Sequence, residues 1–196
     1  MTMKKLLTTV LAGVLMLCGT HAYAQISVGG GFAHSIFIGP ERTFGVNYAG
    51  FYLGASYDVA FAELEGLTFE PGGYYYYFKH NNDKPIPDMF MHFLEIPLYF
   101  KYTFPLVDDF SIAAITGPRL NLGFAGNTFR KGVEIGDIST GDGVRSFDIS
   151  WGIGTAVTYS NSIQLRLLYD LGMVHSFRDT KMYRNQISVG LAFIFQ

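Results

Sequence analysis

From Ile163 to Met173 the chain alternates strictly between two kinds of side chain. Ile163, Leu165, Leu167, Tyr169, Leu171 and Met173 occupy one set of positions, and Gln164, Arg166, Leu168, Asp170 and Gly172 the other. A period of two is the signature of an extended strand whose faces meet different surroundings. Eight such segments run along the chain, at about 26–38, 46–60, 67–79, 91–104, 110–122, 146–159, 162–175 and 183–195. The connections between them alternate in length. "AELEG", "PLVDD" and "SN" are short, whereas the remaining ones are longer, up to "GFAGNTFRKGVEIGDISTGDGVR". Short turns at one end and long loops at the other predict a transmembrane β-barrel with short periplasmic turns and long outer loops.

The parity assigns the faces. The Leu- and Tyr-rich side of 162–175 faces lipid, and Arg166 and Asp170 face the lumen. In the last segment Ile187, Val189, Leu191, Phe193 and Phe195 point outward, with Arg184, Gln186 and Ser188 inward. In the sixth, Phe147, Ile149, Trp151, Ile153 and Val157 point outward, with Asp148, Ser150, Gly152 and Gly154 inward. In the fourth, Leu94, Ile96, Leu98, Phe100 and Phe104 face lipid, with Glu95, Tyr99 and Lys101 inside. Tyr102, Tyr159 and Tyr183 near segment ends suit the interfacial aromatic girdles. At about 10 residues per membrane-spanning strand, eight strands leave room for loops and sixteen leave almost none. The expectation is an all-β fold: an eight-stranded antiparallel up-and-down barrel, which is only wide enough for its own side chains to fill. A general diffusion porin is excluded on diameter.

Composition agrees. The chain is 49% hydrophobic and 16% aromatic with only 15% charged residues, against about 25% charged in soluble domains. Alternation hides that apolar content in every second position. The start of the chain is different. Lys4 and Lys5 precede "LLTTVLAGVLMLCG" and then the Ala22-Tyr23-Ala24 site. A basic head, a short apolar run and small residues at the A-x-A positions describe a secretory signal peptide over 1–24, cleaved before Gln25, with the barrel domain over 25–196. The run is too short for a spanning helix of about 20 residues. Leu17 before Cys18 argues against a lipidated cysteine. The remainder, 25–196, has no cysteine, so disulfides, thiol catalysis and thiolate metal sites are excluded there. The net charge of −2 becomes −4 once Lys4 and Lys5 are removed. With no basic patch, nucleic acid is not expected as a partner. The expected location is the bacterial outer membrane, with its lipid and the barrel-assembly machinery as partners.

Three stretches carry a family resemblance: "LTFEPGGYYYYFK" (67–79), "FLEIPLYFKYTFP" (93–105) and "SIQLRLLYDLGMVH" (162–175). They resemble the PorT-like outer-membrane β-barrel family. The most specific piece is Leu94-Glu95-Ile96-Pro97-Leu98 followed by Lys101-Tyr102. Glu70-Pro71-Gly72 is similar to that family's polar-Pro-Gly element, with Glu where Gln is common. The chain departs from many outer-membrane barrels in placing Gln196 after the terminal aromatic Phe195. The resemblance implies a fold and a location, with secretion-associated roles for some members, and supplies no catalytic motif.

The strongest candidate constellation is ionic. Counting from strand ends puts the lumen-facing Asp58, Glu70, Lys101 and Arg166 in a periplasmic-side layer. Glu95, Arg119, Asp148 and Asp170 fall in an outer-side layer. Buried charges are costly unless paired, so a salt-bridged plug is the expected role, and a narrow ion or proton path the functional alternative. His34, His92 and His175 fall on the outward phase near outer strand ends. With Ser35, Ser176 and Asp179 nearby in sequence they raise a Ser-His-acid arrangement, which geometry would have to establish. Asp137 and Asp142 lack the spacing of a helix-loop-helix calcium loop, and Gly29, Gly30 and Gly31 have no following helix to make a phosphate cradle. Neither a cofactor nor a metal is expected. Pro71 and Pro97 lie inside strands without amide donors, which predicts a bulge, a twisted register or a strand end. The expected function is non-enzymatic: contact with a partner or the cell surface through outer loops or periplasmic turns. A barrel-embedded lipid hydrolase or acyltransferase, and a narrow channel or small-ligand receptor, are the alternatives.

Overall fold

The computed structural model describes residues 25–39, 46–61, 64–80, 88–130, 133–137, 146–176 and 181–195; the expected signal segment 1–24 lies outside them. Every element is a strand: β1 (Gln25–Ile38), β2 (Val46–Ala60), β3 (Leu67–His80), β4 (Asp88–Val107), β5 (Phe110–Arg130), β6 (Val133–Asp137), β7 (Phe147–Tyr159), β8 (Ile163–Gly172) and β9 (Tyr183–Phe195). All pairings are antiparallel. The sheet runs β4-β3-β2-β1-β9-β8-β7-β5, and β4 pairs with β5 to close it. Eight strands form the barrel wall, and β6 lies outside the ring, paired among the described residues with the far end of β5. Closure matters physically because it leaves the wall no unpaired edge to expose to lipid.

The faces fall as the alternation predicts. On β8, Gln164, Arg166, Leu168 and Asp170 are buried while Ile163, Leu165, Leu167, Tyr169 and Leu171 are exposed. On β9, Ile187, Val189, Leu191, Phe193 and Phe195 are exposed and Arg184, Gln186 and Ser188 buried. Glu95, Tyr99 and Lys101 on β4 and Asp148 and Ser150 on β7 are buried. An exterior of Leu, Ile, Val and aromatic side chains around a charged interior is the inverse of a water-soluble protein. Such a surface is stable only against hydrocarbon.

The interior is filled unevenly. Tyr52, Tyr74 and Tyr76 project inward from β2 and β3, and Tyr52 stacks on Tyr76 with centroids 4.9 Å apart. Facing them, β1 and β9 offer Gly29, Gly31, Ala33, Gly190 and Ala192. At Gly190 a Cβ would stand 2.2 Å from the Tyr52 hydroxyl oxygen and 2.4 Å from the Gly30 carbonyl oxygen. Gly190 therefore makes room for the Tyr52 side chain, while a Cβ at Gly29 or Gly31 would meet β9 itself. At the periplasmic end, the Ser162 amide donates to the Tyr159 carbonyl at 3.1 Å. The central residues Ser160 and Asn161 have φ of 50° and 51°. Positive φ at both matches the primed turns that suit the twist of a hairpin.

Two expectations need correction. The fourth segment, expected over 91–104, spans Asp88–Val107, and the fifth, expected over 110–122, runs on to Arg130. β5 has its last β7 partner at Leu122, opposite Phe147, yet it stays paired with β4 as far as Phe129 opposite Asp88. β6 then takes the place of β7, with Asn127 opposite Asp137. Alternation fades here because lipid and lumen no longer sort the side chains, while backbone pairing continues regardless. Of the outcomes expected at Pro71 and Pro97, neither a bulge nor a strand end occurs. The ladder lapses around each, but Pro71 opposite Leu98 and Tyr74 opposite Glu95 keep one register, as do Pro97 opposite Arg119 and Phe100 opposite Thr116. The register shifts of the β4–β5 pair lie instead at His92/Phe93 and Pro105/Val107.

Candidate functional site: two ionic layers in the lumen

The periplasmic-side layer is built around Lys101. Its Nζ pairs with Asp58 on β2 and lies 3.3 Å from Glu70 Oε2 on β3. Arg166 on β8 reaches across the lumen and pairs with Glu70 Oε1 at 2.6 Å. The Arg166 Nη1 also donates to the Tyr74 hydroxyl at 3.4 Å, and that hydroxyl donates to Ser56 Oγ at 3.0 Å. Two carboxylates face two cations, so the layer is neutral. Every member lies on an inward position of its strand, and four different strands converge on it.

The outer-side layer centres on Glu95. Arg119 on β5 stands 2.8 Å from Glu95 Oε2 and 2.9 Å from Asp170 Oδ2. Tyr99 donates its hydroxyl to Asp170 Oδ1 at 2.9 Å. Arg119 Nε donates to Ser150 Oγ at 3.3 Å, and its guanidinium lies 5.7 Å from the centroid of the Tyr76 ring. Arg184 on β9 completes the layer. Its Nη2 donates to Glu95 Oε1 at 2.8 Å, its Nε lies 3.9 Å from Asp148 Oδ2, and its guanidinium stacks 4.2 Å from the centroid of Phe93. Asp148 also accepts from Ser176 Oγ at 3.1 Å. The inward parity of β9 already placed Arg184 in the lumen, but counting depth from strand ends left it out of the predicted layer.

Between the layers the enclosed space is small. A cavity of about 20 Å³, lined by residues including Tyr52, Tyr74, Tyr76 and Tyr99, has room for about one water. Charges this far from solvent interact strongly, and removing one partner strands the other. The arrangement therefore acts chemically as a network of shared ion pairs, balanced in the periplasmic-side layer and one carboxylate in excess in the outer-side layer, that fixes the strands to one another across the barrel.

The outward histidines are engaged elsewhere. His92 Nδ1 lies 2.6 Å from the Tyr75 hydroxyl, within a group of rings that includes Tyr77 and Phe124. His175 Nε2 lies 2.9 Å from the Tyr183 hydroxyl. His34 lies on β1 opposite Ile187. Ser35 points the other way, into the lumen, where its Oγ donates to the Asn185 carbonyl at 3.3 Å. Ser176 is likewise turned to Asp148, and Asp179 lies outside the described residues. The structure therefore brings neither serine onto a described histidine. Asp137 ends β6, with its side chain not described, and Asp142 lies outside the described residues. Among the described residues, no group of three His, Cys, Asp or Glu side chains is arranged to hold a metal.

A closed eight-stranded wall, a hydrocarbon-facing exterior and a charged, filled interior define an integral outer-membrane β-barrel. No family model matches the chain, and no curated protein matches it. Solved structures do. Neisserial surface protein A is similar with a TM-score of 0.55 and 17% identity, over 87% of this chain and 97% of that one. Ail, the attachment invasion locus protein of Yersinia pestis, is similar with a TM-score of 0.52 and 13% identity, over 88% of this chain and 99% of its own. The outer membrane enzyme PagL is similar with a TM-score of 0.52 and 15% identity, over 88% and 99% of the two chains. At these identities the shared property is the outer-membrane barrel fold.

Proposed function

We propose that this barrel is a non-enzymatic scaffold that presents the outer ends of β4, β5 and β6 to a protein partner, in an envelope or secretion-associated role of the kind its PorT-like resemblance implies. The observation that carries the reading is the continuation of β5 beyond its last β7 partner, Leu122, to Arg130. Eight further residues at about 3.3 Å each amount to roughly 26 Å of strand. That length is paired with β4 as far as Phe129, and its end, from Asn127 to Arg130, is paired with β6 as well. A paired sheet presents side chains in fixed positions at little entropic cost on binding, which is what partner recognition favours. The lumen, by contrast, has its charged groups engaged in ion pairs across the barrel and supports the reading only as a rigid foundation. The short strand β6 also presents a sheet margin to which an extended segment of a partner can add.

A photo-reactive amino acid at position 134 tests this in cells. The expected result is a discrete cross-linked product that is absent when the same group is placed at position 94 on the lipid-facing side. A product of equal intensity from both positions, or from neither, contradicts the reading. The alternatives have their own tests. A lipid hydrolase or acyltransferase alters lipid A mass spectra when the protein is overexpressed, and a narrow channel gives discrete steps of current in a planar bilayer.

A further inference from the structure

A second cavity lies below the periplasmic-side ionic layer, with a volume of about 90 Å³. Its walls include Asp58, Lys101, Thr68, Thr158, Gln164 and Ile194. Gln25, at the start of β1, and Asn161, in the exposed turn before β8, also line it and place it at the periplasmic mouth of the barrel.

Two features make this more than a gap in the packing. Asp58 and Gln164 are almost completely buried, yet Asp58 Oδ1 and Gln164 Oε1 have no hydrogen-bond partner among the described residues. Each has its other polar atom committed: Asp58 Oδ2 to Lys101, and Gln164 Nε2 to the Thr158 hydroxyl at 3.1 Å. Buried acceptors left unpaired are costly, so their persistence calls for a donor supplied from outside the chain. Charge then narrows the class of donor. Asp58 and Glu70 are already balanced by Lys101 and Arg166, so an ammonium would stand against Lys101 and an anion against Asp58. The fitting group is neutral and both donates and accepts, because the ammonium and hydroxyls on the walls are donors facing the two acceptors. A hydroxyl does both. Ile194 gives an apolar strip for the carbon side of such a molecule, and the volume is several times the ~10–15 Å³ that admits one water.

We propose that the periplasmic mouth is a binding site for the end of a neutral polyol, of about three carbons with hydroxyls on neighbouring carbons. Free polyols and the ring edge of a terminal glycan sugar, whose hydroxyls lie on neighbouring carbons, share that chemistry. The site is separate from the outer surface assigned to a protein partner, and it stands whether or not that assignment does.

Glycerol is the probe for the first source and methyl β-glucopyranoside for the second. Each is titrated into the full barrel in lipid nanodiscs, with backbone amide resonances followed by NMR. The site predicts saturable shifts confined to the neighbourhood of Lys101, Thr158 and Gln164, and none from 1-propanol, which has the carbons without the neighbouring hydroxyls. Tighter binding of the glucoside than of glycerol assigns the site to a glycan end; glycerol alone assigns it to a free polyol. Gln164→Leu removes one acceptor and should weaken the binding about five-fold or more. Thr158→Val, which keeps the side-chain shape, should weaken it in the same direction if Gln164→Leu perturbs folding. Shifts that rise linearly without saturating, that 1-propanol reproduces, or that both variants retain at wild-type strength would overturn the proposal and leave the cavity a place for water only.

Discussion

Arg184 and Glu95 are separated by 89 positions in the sequence, yet Nη2 of one donates to Oε1 of the other at 2.8 Å in the closed centre of the barrel. Glu95 also meets Arg119 at 2.8 Å and Gln186 Nε2 at 3.4 Å. It comes from β4 and its partners from β5 and β9, so one carboxylate ties together three strands of the wall. Glu95→Ala leaves two guanidiniums without their shared anion. Breaking a buried pair by removing one side typically costs about 3–5 kcal/mol, and urea unfolding in lipid vesicles should show a loss of that order. A loss within about 1 kcal/mol, the usual worth of an exposed pair, would mean that water reaches the layer.

The two faces of β8 give a second test. Leu167 is exposed to lipid, whereas Leu168 packs inside with Tyr99, Ala113, Ile115 and Ala156. Leu167→Arg puts a charge against hydrocarbon and should cost about 2–4 kcal/mol if the site lies near mid-membrane. Leu168→Gln should be milder, because the lumen already holds polar groups. The same unfolding assay compares them, and the reverse order would invert the strand.

Gly152 tests the packing beneath the outer-side layer. A Cβ there would lie 2.8 Å from both the Tyr99 hydroxyl oxygen and Asp170 Oδ1. Gly152→Ala should therefore displace the Tyr99–Asp170 hydrogen bond and cost about 1–3 kcal/mol. Tyr99→Phe removes that bond directly. The double variant should lose less than the sum of the singles, since both act on one interaction. Strict additivity in the unfolding cycle would show that the two positions are independent.

Processing is a further expected outcome. The basic start, the short apolar run and Ala22-Tyr23-Ala24 predict that the exported chain begins at Gln25. N-terminal sequencing of protein from outer-membrane fractions checks this. A chain that retains Lys4 and Lys5 would refute cleavage at that site.

Much of this architecture is legible in the sequence because the membrane enforces it. Lipid on one side and a charged lumen on the other sort every second residue, so the parity of Ile163–Gly172 or Tyr183–Phe195 can be read from the sequence alone. The same parity put Asp58, Glu70, Lys101 and Arg166 inside, and counting from strand ends grouped them at one depth. Depth was harder than parity. Arg184 is the second residue of β9, at its outer end, but its long side chain extends to Glu95, so counting Cα positions gives no sign of the pair. The extensions of β4 and β5 went unseen for a different reason. Beyond the membrane, strands are held by backbone ladders that impose no pattern on side chains. Pro71 and Pro97 mislead in the same way: the loss of an amide donor is visible in sequence, but not whether the register survives it.

The barrel is a filled foundation, and its proposed working surface lies at the outer end of β4, β5 and β6. The most direct measurement replaces 126–145 with a short Gly-Ser turn and follows thermal unfolding and planar-bilayer current on the same protein. Loop-closure entropy changes slowly with length, and the ionic pairs between Glu95, Arg119, Asp170 and Arg184 lie outside the replaced segment. The account predicts a barrel that stays folded and non-conducting while the protein partner no longer co-purifies with it. An unstable or conducting barrel would contradict it, because the segment would then be plugging the lumen.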